Sequence, residues 1–369
     1  MLDRCPIATT RYILASMRIC YLGDANVQVR RVAEYFARAG NDVHVVTARP
    51  APIPGVPVHS FAGPLARGKA AFLLGIPSAR RIISRLRPDV LHVFYATSYG
   101  LVASMIPGPP VVLSPMGSDL LISAETSRLF STMVRRAIRR ADAIFSVAPH
   151  MTRKLLAFGA LPSRIHTFPR GVDLERFPFM PRSRPSAQSV VLSNRKMEKV
   201  YNIEQLVRAA PLVLARFPDV RFVFYGDGSQ RGDLERLAAS VGAGDSCSFR
   251  GAVDHDVVAS TLDQADLYVS CSRSDGTSVS LLEAMASGLY PIVSDIEANR
   301  SWIRDRDNGM LFRLDDPASL ADAIGSVVSA GGASPEALKA NRRLIETEAD
   351  WGLNMPRMGA VYRSLAGSA

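Results

Sequence analysis

Twice along this chain, short uniformly apolar runs alternate with helix-patterned stretches, and a segment rich in Pro, Ser and Arg separates the two series. Apolar runs without polar alternation have no face for water, so they suit parallel strands covered by helices on both sides. The first series opens "MRICYLGDANVQVRRVAEYFARAGNDVHVVTARP". It reads as a strand (18–22), a turn at Gly23-Asp24, a helix over about 27–39 stopped by Gly40, and a second strand (43–47). Further strand-like runs stand at 90–94, 111–114, 143–147 and 165–168. The separating segment "PFMPRSRPSAQ" (178–188) reads as a linker. The pattern then restarts with "VVLS" (190–193), "RFVFYG", "DLYVSC" and "PIVS", each followed or preceded by a helix pattern.

The fold class is therefore α/β, with two doubly wound Rossmann-like domains, 17–177 and 189–350, facing across a cleft. A chain of 369 residues exceeds one ordinary hydrophobic core, which agrees with two domains. Residues 1–16 read as a disordered extension. The tail 351–369 places Trp351, Met355, Met358, Val361, Tyr362 and Leu365 near helical spacing, and it is expected to pack back toward the first domain.

Composition excludes several classes. Cys5, Cys20, Cys247 and Cys271 lie far apart with no metal-type spacing, so neither a zinc site nor a disulfide framework is expected. No apolar run is long enough to span a membrane, and the opening lacks the apolar core of a signal peptide. The net charge is +15 up to residue 184 and −5 beyond it, so the halves are expected to meet different partners. Nucleic acid is disfavoured, because no recognised module is present and aromatics make up 7% of the chain. Arg128, Arg135, Arg136, Arg139 and Arg140 form one basic stripe, and Arg80, Arg81, Arg85 and Arg87 another. Each is either a solvated face or a surface for anionic lipid. A cytoplasmic protein, peripheral on the inner face of the cell membrane, is the expected setting.

The chemistry concentrates in "SDGTSVSLLEAMASG" (274–288). Asp275 falls in the loop after the strand "DLYVSC", Ser278 or Ser280 starts the next helix, and Glu283 lies about a turn inside it. A helix N-terminus with Gly276 permitting close backbone approach is an anion site. Carboxylates accept through two oxygens and suit the vicinal diol of a ribose. A sugar nucleotide fits both features. Its diphosphate needs cations, and "SNRKMEKVYN" supplies Arg195 and Lys199 after another strand, with Lys196 between. Gly226 and Gly228 in "FYGDGSQ" line the same edge.

The second half resembles the C-terminal domain of the family 4 retaining glycosyltransferases, which have the two-domain GT-B fold. The match is an acidic residue, seven residues and then Glu-Ala-Met-Ala, here Asp275 to Glu283, continuing through "PIVSDIEANRSWIRDRDNGMLF" and "DWGLNMPRM". "PDVLHVFYATSYG", "SPMGSD" and "PRGVDLERF" resemble the N-terminal domain. The resemblance implies that Glu283 binds the ribose, that Asp275 contacts the transferred sugar, and that Gly276, Thr277 and Ser278 donate to sugar and phosphate. Arg195 would hold the diphosphate, Asp119 would lie on the acceptor side, and Gly23 would let donor and acceptor approach. It also implies no metal or other cofactor, with the departing phosphate oxygen taking the acceptor's proton. Partners would be a nucleotide sugar donor and a glycan or lipid-linked acceptor.

The chain departs from the family pattern in carrying Asp275 where Glu is commoner, and Gln28 and Phe94 where His is frequent. Either Lys199 or Tyr201 takes the place of the usual lysine. Two alternatives remain open: a non-catalytic sugar-nucleotide or glycan-binding relative, and an epimerase or hydrolase of the same fold. Of the remaining signals, His92 reads as a satisfied core or cleft-edge histidine. Asp254 in "DHD" reads as a helix N-cap, and Asp305 to Asp307 as a turn.

Overall fold

The computed structural model describes residues 16–62, 69–180 and 189–367. Most of the 1–16 extension and residues 181–188 of the linker lie outside the described residues.

The first sheet holds β1 (Arg18–Leu22), β2 (Asp42–Thr47), β3 (Val58–Ser60), β4 (Val90–Phe94), β5 (Val111–Ser114), β6 (Ala143–Ser146) and β7 (Ile165–Thr167) in the order β3-β2-β1-β4-β5-β6-β7. The second holds β8 (Val190–Ser193), β9 (Arg221–Tyr225), β10 (Cys247–Gly251), β11 (Leu267–Ser270), β12 (Tyr290–Ser294) and β13 (Met310–Phe312) in the order β10-β9-β8-β11-β12-β13. Every pairing between these strands is parallel. Both sheets are α/β and doubly wound.

Each sheet is buried on both faces, which is why its central strands read as continuous apolar runs. In the first sheet Cys20, Leu22, Leu91 and Val93 join one core, and Ile19, Tyr21, Val90 and Phe94 the other. The second core receives Met355, Met358 and Tyr362 from the C-terminal helix Trp351–Ala366. That helix crosses from the second half to cover the first sheet, and Tyr362 OH stands 2.5 Å from His92 Nδ1. His92 Nε2 meets Ser114 Oγ at 2.7 Å, so the imidazole is fully buried and satisfied at both nitrogens. Burial holds its pKa well below the usual value.

Strand order reverses between β1 and β4 in the first sheet and between β8 and β11 in the second. At such a reversal the loops leave in opposite directions and open a crevice at the carboxyl edge. The loops after β8 and β11 carry Arg195 and Asp275.

Candidate active site

Arg195 organises the second crevice. Its Nη1 donates to Ser278 Oγ and to Ser280 Oγ, each at 2.8 Å, and its Nη2 pairs with Asp275. Its guanidinium carbon lies 4.4 Å from the Tyr201 ring centroid. Burial pulls its pKa down, but Asp275, with Tyr268 and Tyr201, pulls it up by more, so the charge is held above its ordinary value. Tyr268 OH donates to Ser280 Oγ at 2.9 Å from the strand beneath.

Local sequence explains how the loop reaches this position. Ser278 caps the helix Val279–Ala286, its side chain accepting from the Leu281 N–H. Gly226, at φ +131°, and Gly228 let the 194–197 loop lie flat on the loop after β9. A Cβ on either would run into the carbonyl oxygen of Arg195 or Met197. The first half makes an equally close approach at Gly117, φ +109°, where a Cβ would stand 3.1 Å from the Gly276 amide nitrogen.

Glu283 is 3% exposed and held by groups from both halves. Arg176 Nη1 donates to His255 Nδ1 at 2.8 Å, which leaves His255 Nε2–H to donate to Glu283 Oε1 at 2.8 Å. Arg31 Nη1, from the helix Val27–Arg38, lies 3.8 Å from the same oxygen. Burial lowers the Arg31 pKa, and Glu283 opposes that. The cavity alongside, about 1170 Å³, lies between the halves and is lined by Arg31, Asp173, Arg176, Lys196, Gly226 and His255 among others. A volume of that order accommodates a nucleotide-sized ligand.

The remaining candidates divide. Thr277 sits in the loop, but its hydroxyl donates to the Val147 carbonyl at 2.8 Å, and His150 Nε2 stands 3.1 Å from the Asp275 carbonyl oxygen. These contacts dock the loop on the first half. Lys199 is exposed at the turn before the helix Ile203–Leu214, while Tyr201 backs Arg195. Gly23 abuts Phe94, whose Cβ a side chain there would meet at 3.0 Å. Asp119 is 2% exposed and accepts from the N–H groups of Ala96 (2.5 Å), Met116 (2.9 Å) and Leu120 (3.1 Å). Its carboxylate thus pins the loop after β5 to the loop after β4. Burial holds its pKa above the usual value, against the pull of those N–H donors.

Asp254 stands at the N-cap of the helix His255–Asp263, with extended backbone and its carbonyl accepting from the Val257 N–H, but its side chain makes no capping hydrogen bond. The functional neighbour in "DHD" is His255, visible in sequence only as a histidine on a polar helix start. Arg31, Arg176 and His150 were likewise illegible, since each meets its partner only across the cleft. Among the described residues no group of three or more His, Cys, Asp or Glu is placed to hold a metal ion, and no helix is long and apolar enough to cross a membrane.

Two parallel α/β sheets with facing crevices define a GT-B architecture. Sucrose-phosphate synthase of Thermosynechococcus elongatus shares it, with a TM-score of 0.83 and 19% identity over 96% of this chain and 100% of that one. The family model for glycosyl transferases group 1 matches residues 179–347, and that for glycosyltransferase family 4 matches 25–176. The chain belongs to the family 4 glycosyltransferases, and it is a glycosyltransferase enzyme. Its relatives include a phosphatidyl-myo-inositol mannosyltransferase of Mycobacterium tuberculosis, 27% identical over 94% of each chain. A D-inositol 3-phosphate glycosyltransferase of Catenulispora acidiphila is also 27% identical, over 93% of this chain and 91% of that one.

Proposed function

We propose that the enzyme moves a sugar, with retention and without a bound metal, from a nucleotide diphosphate sugar to a hydroxyl of a lipid-linked or glycan acceptor. The observation that carries this reading is the convergence of Arg195, Asp275 and Ser278 on one helix N-terminus, with Glu283 one turn in and held by His255 and Arg31, which line the cavity. In this reading Arg195 and the helix N-terminus bind the diphosphate. The ribose hydroxyls take over the Glu283 oxygen that His255 and Arg31 now hold. Asp275 meets the transferred sugar, and Gly23 gives the acceptor room. The acceptor oxygen bonds to the anomeric carbon as the bond from that carbon to the phosphate oxygen breaks. The electron pair leaves on the phosphate, which also takes the hydroxyl proton. Preorganised cations stabilise that developing charge.

The relatives' names, one with a phosphatidyl-inositol acceptor, favour a phosphorylated or lipid-borne acceptor. Exposed Arg128, Arg135, Arg136 and Arg139, with Leu129 63% exposed beside them, would then face an anionic membrane surface. Salt-sensitive flotation with anionic vesicles checks that assignment.

The test of the main reading is a thermal-shift screen of wild type and Glu283→Ala against UDP, GDP, ADP and their sugar conjugates, with and without EDTA. One nucleotide should stabilise the wild type alone, indifferent to chelation. An equal response in the variant, or none in the wild type, would sink the donor-site reading. Proton NMR of the anomeric product checks retention.

A further inference from the structure

The first half carries a second partly buried cation in a different environment. Arg170 follows β7 and is partly buried. Its Nη1 donates to Gln28 Oε1 at 3.0 Å, its Nη2 lies 3.1 Å from Met116 Sδ, and its guanidinium carbon stands 5.6 Å from the Phe94 ring centroid. Both acceptors are neutral, and a thioether is a weak one. Among the described residues Arg170 forms no ion pair with a carboxylate. A guanidinium has five N–H donors, so about three remain beyond the two used here. Burial first, with Arg31 adding to it, pushes its pKa down to about 10, against the pull of Tyr95, Tyr362 and the Asp119 carboxylate. Gln28 and Phe94, the two positions set apart in the sequence, therefore meet at one cation.

Arg170 does not itself line the cavity, but its neighbours adjoin the cavity's N-terminal wall. Gln28 belongs to the helix whose Val27, Arg30 and Arg31 line the cavity. Met116 precedes Gly117, which abuts Gly276. Tyr95, at the reversal of the first sheet, feels both Arg170 and, across the cleft, Tyr201, which backs Arg195. A cation with spare donors, neutral supports and further arginine nearby suits an anion with several acceptor oxygens.

We propose that Arg170, oriented by Gln28 and Met116, is a seat for a substrate phosphate on the N-terminal side of the cleft. The inference rests on the donor-and-acceptor reading above and deepens it. The phosphate belongs either to the donor's diphosphate or to the acceptor. Arg170 completes, from the first half, the cationic surround that Arg195 begins in the second.

The experiment uses the full chain as wild type, Arg170→Gln and Arg170→Lys in thermal-shift titrations with inorganic phosphate at fixed ionic strength, then with UDP and GDP. Phosphate should stabilise the wild type, and Arg170→Gln should lower its apparent affinity by about tenfold, the worth of a charge-assisted hydrogen bond. Arg170→Lys should fall between. A nucleotide response preserved in Arg170→Gln assigns the phosphate to the acceptor, and a response lost together with that to phosphate assigns it to the donor. No phosphate stabilisation of the wild type, or equal affinity in Arg170→Gln, overturns the proposal. Failure of the donor reading appears separately, as an unchanged nucleotide response in Glu283→Ala.

Discussion

Arg195 and Arg170 are both partly buried arginines, one in each half of the molecule, and they differ in what surrounds the charge. Arg195 has a carboxylate, two hydroxyls and an aromatic face. Arg170 has an amide oxygen, a thioether and the face of the buried Phe94 ring. The pKa of the first is held above its ordinary value, and burial brings the second down to about 10. Asp275 and two serines hold the Arg195 guanidinium in place and leave its Nε without a partner, whereas Arg170 is hydrogen-bonded to neutral groups alone.

The largest effect should come from exchanging each arginine for methionine. Arg195→Met leaves the partly buried Asp275 without its partner, and the stability measured by urea unfolding should fall by about 3 kcal/mol. Arg170→Met strands no carboxylate and should stay within about 1 kcal/mol of wild type, or rise. Equal losses in the two variants would break the comparison.

A smaller effect is expected at Asp119, the carboxylate that fixes the loop carrying Met116. Asn offers one acceptor oxygen where three N–H groups converge, so Asp119→Asn should lose about 1–2 kcal/mol. Because burial raises the folded pKa of Asp119, its favourable contribution is present below the ordinary aspartate range and is lost as pH rises through the folded value. The gap between wild type and Asp119→Asn should therefore narrow as pH rises from about 4 to about 7. Unfolding curves across that range check the sign, and a widening gap would refute the assignment.

The smallest effect separates Tyr201 from Lys199. Tyr201→Ala removes the ring beneath Arg195 and should cost about 1 kcal/mol. Lys199→Ala, at an exposed position, should change stability by less than about 0.5 kcal/mol. A larger loss in Lys199→Ala would move the supporting role to the lysine.

The sequence was a good guide to central strands and a poor one to edges. Strands 18–22, 90–94, 111–114 and 190–193 appear at the positions their apolar runs mark, because burial on both faces demands uninterrupted side chains of one kind. β3, β10 and β13 went unread, and all three are edge strands, while the fourth edge, β7, was marked by the run at 165–168. With a neighbour on one side only, "VHS" and "CSFRG" keep polar residues and lose the pattern.

The site divides along the same physical line. Asp275, Ser278 and Glu283 share one loop and helix, so their spacing alone fixed their common placement. Arg195 could be joined to them because both follow strands at a carboxyl edge. The partners of Glu283 could not be read: His255 reaches it from another helix of the second half, Arg31 reaches it from the first half, and Arg176, also of the first half, holds His255. Local spacing determined the fold class and the helix-borne half of the site, and the resemblance of short motifs pointed to the family. The tertiary structure alone decided which charges are matched, because compensation depends on distance through space and on burial. Neither is encoded in the spacing of residues along one segment.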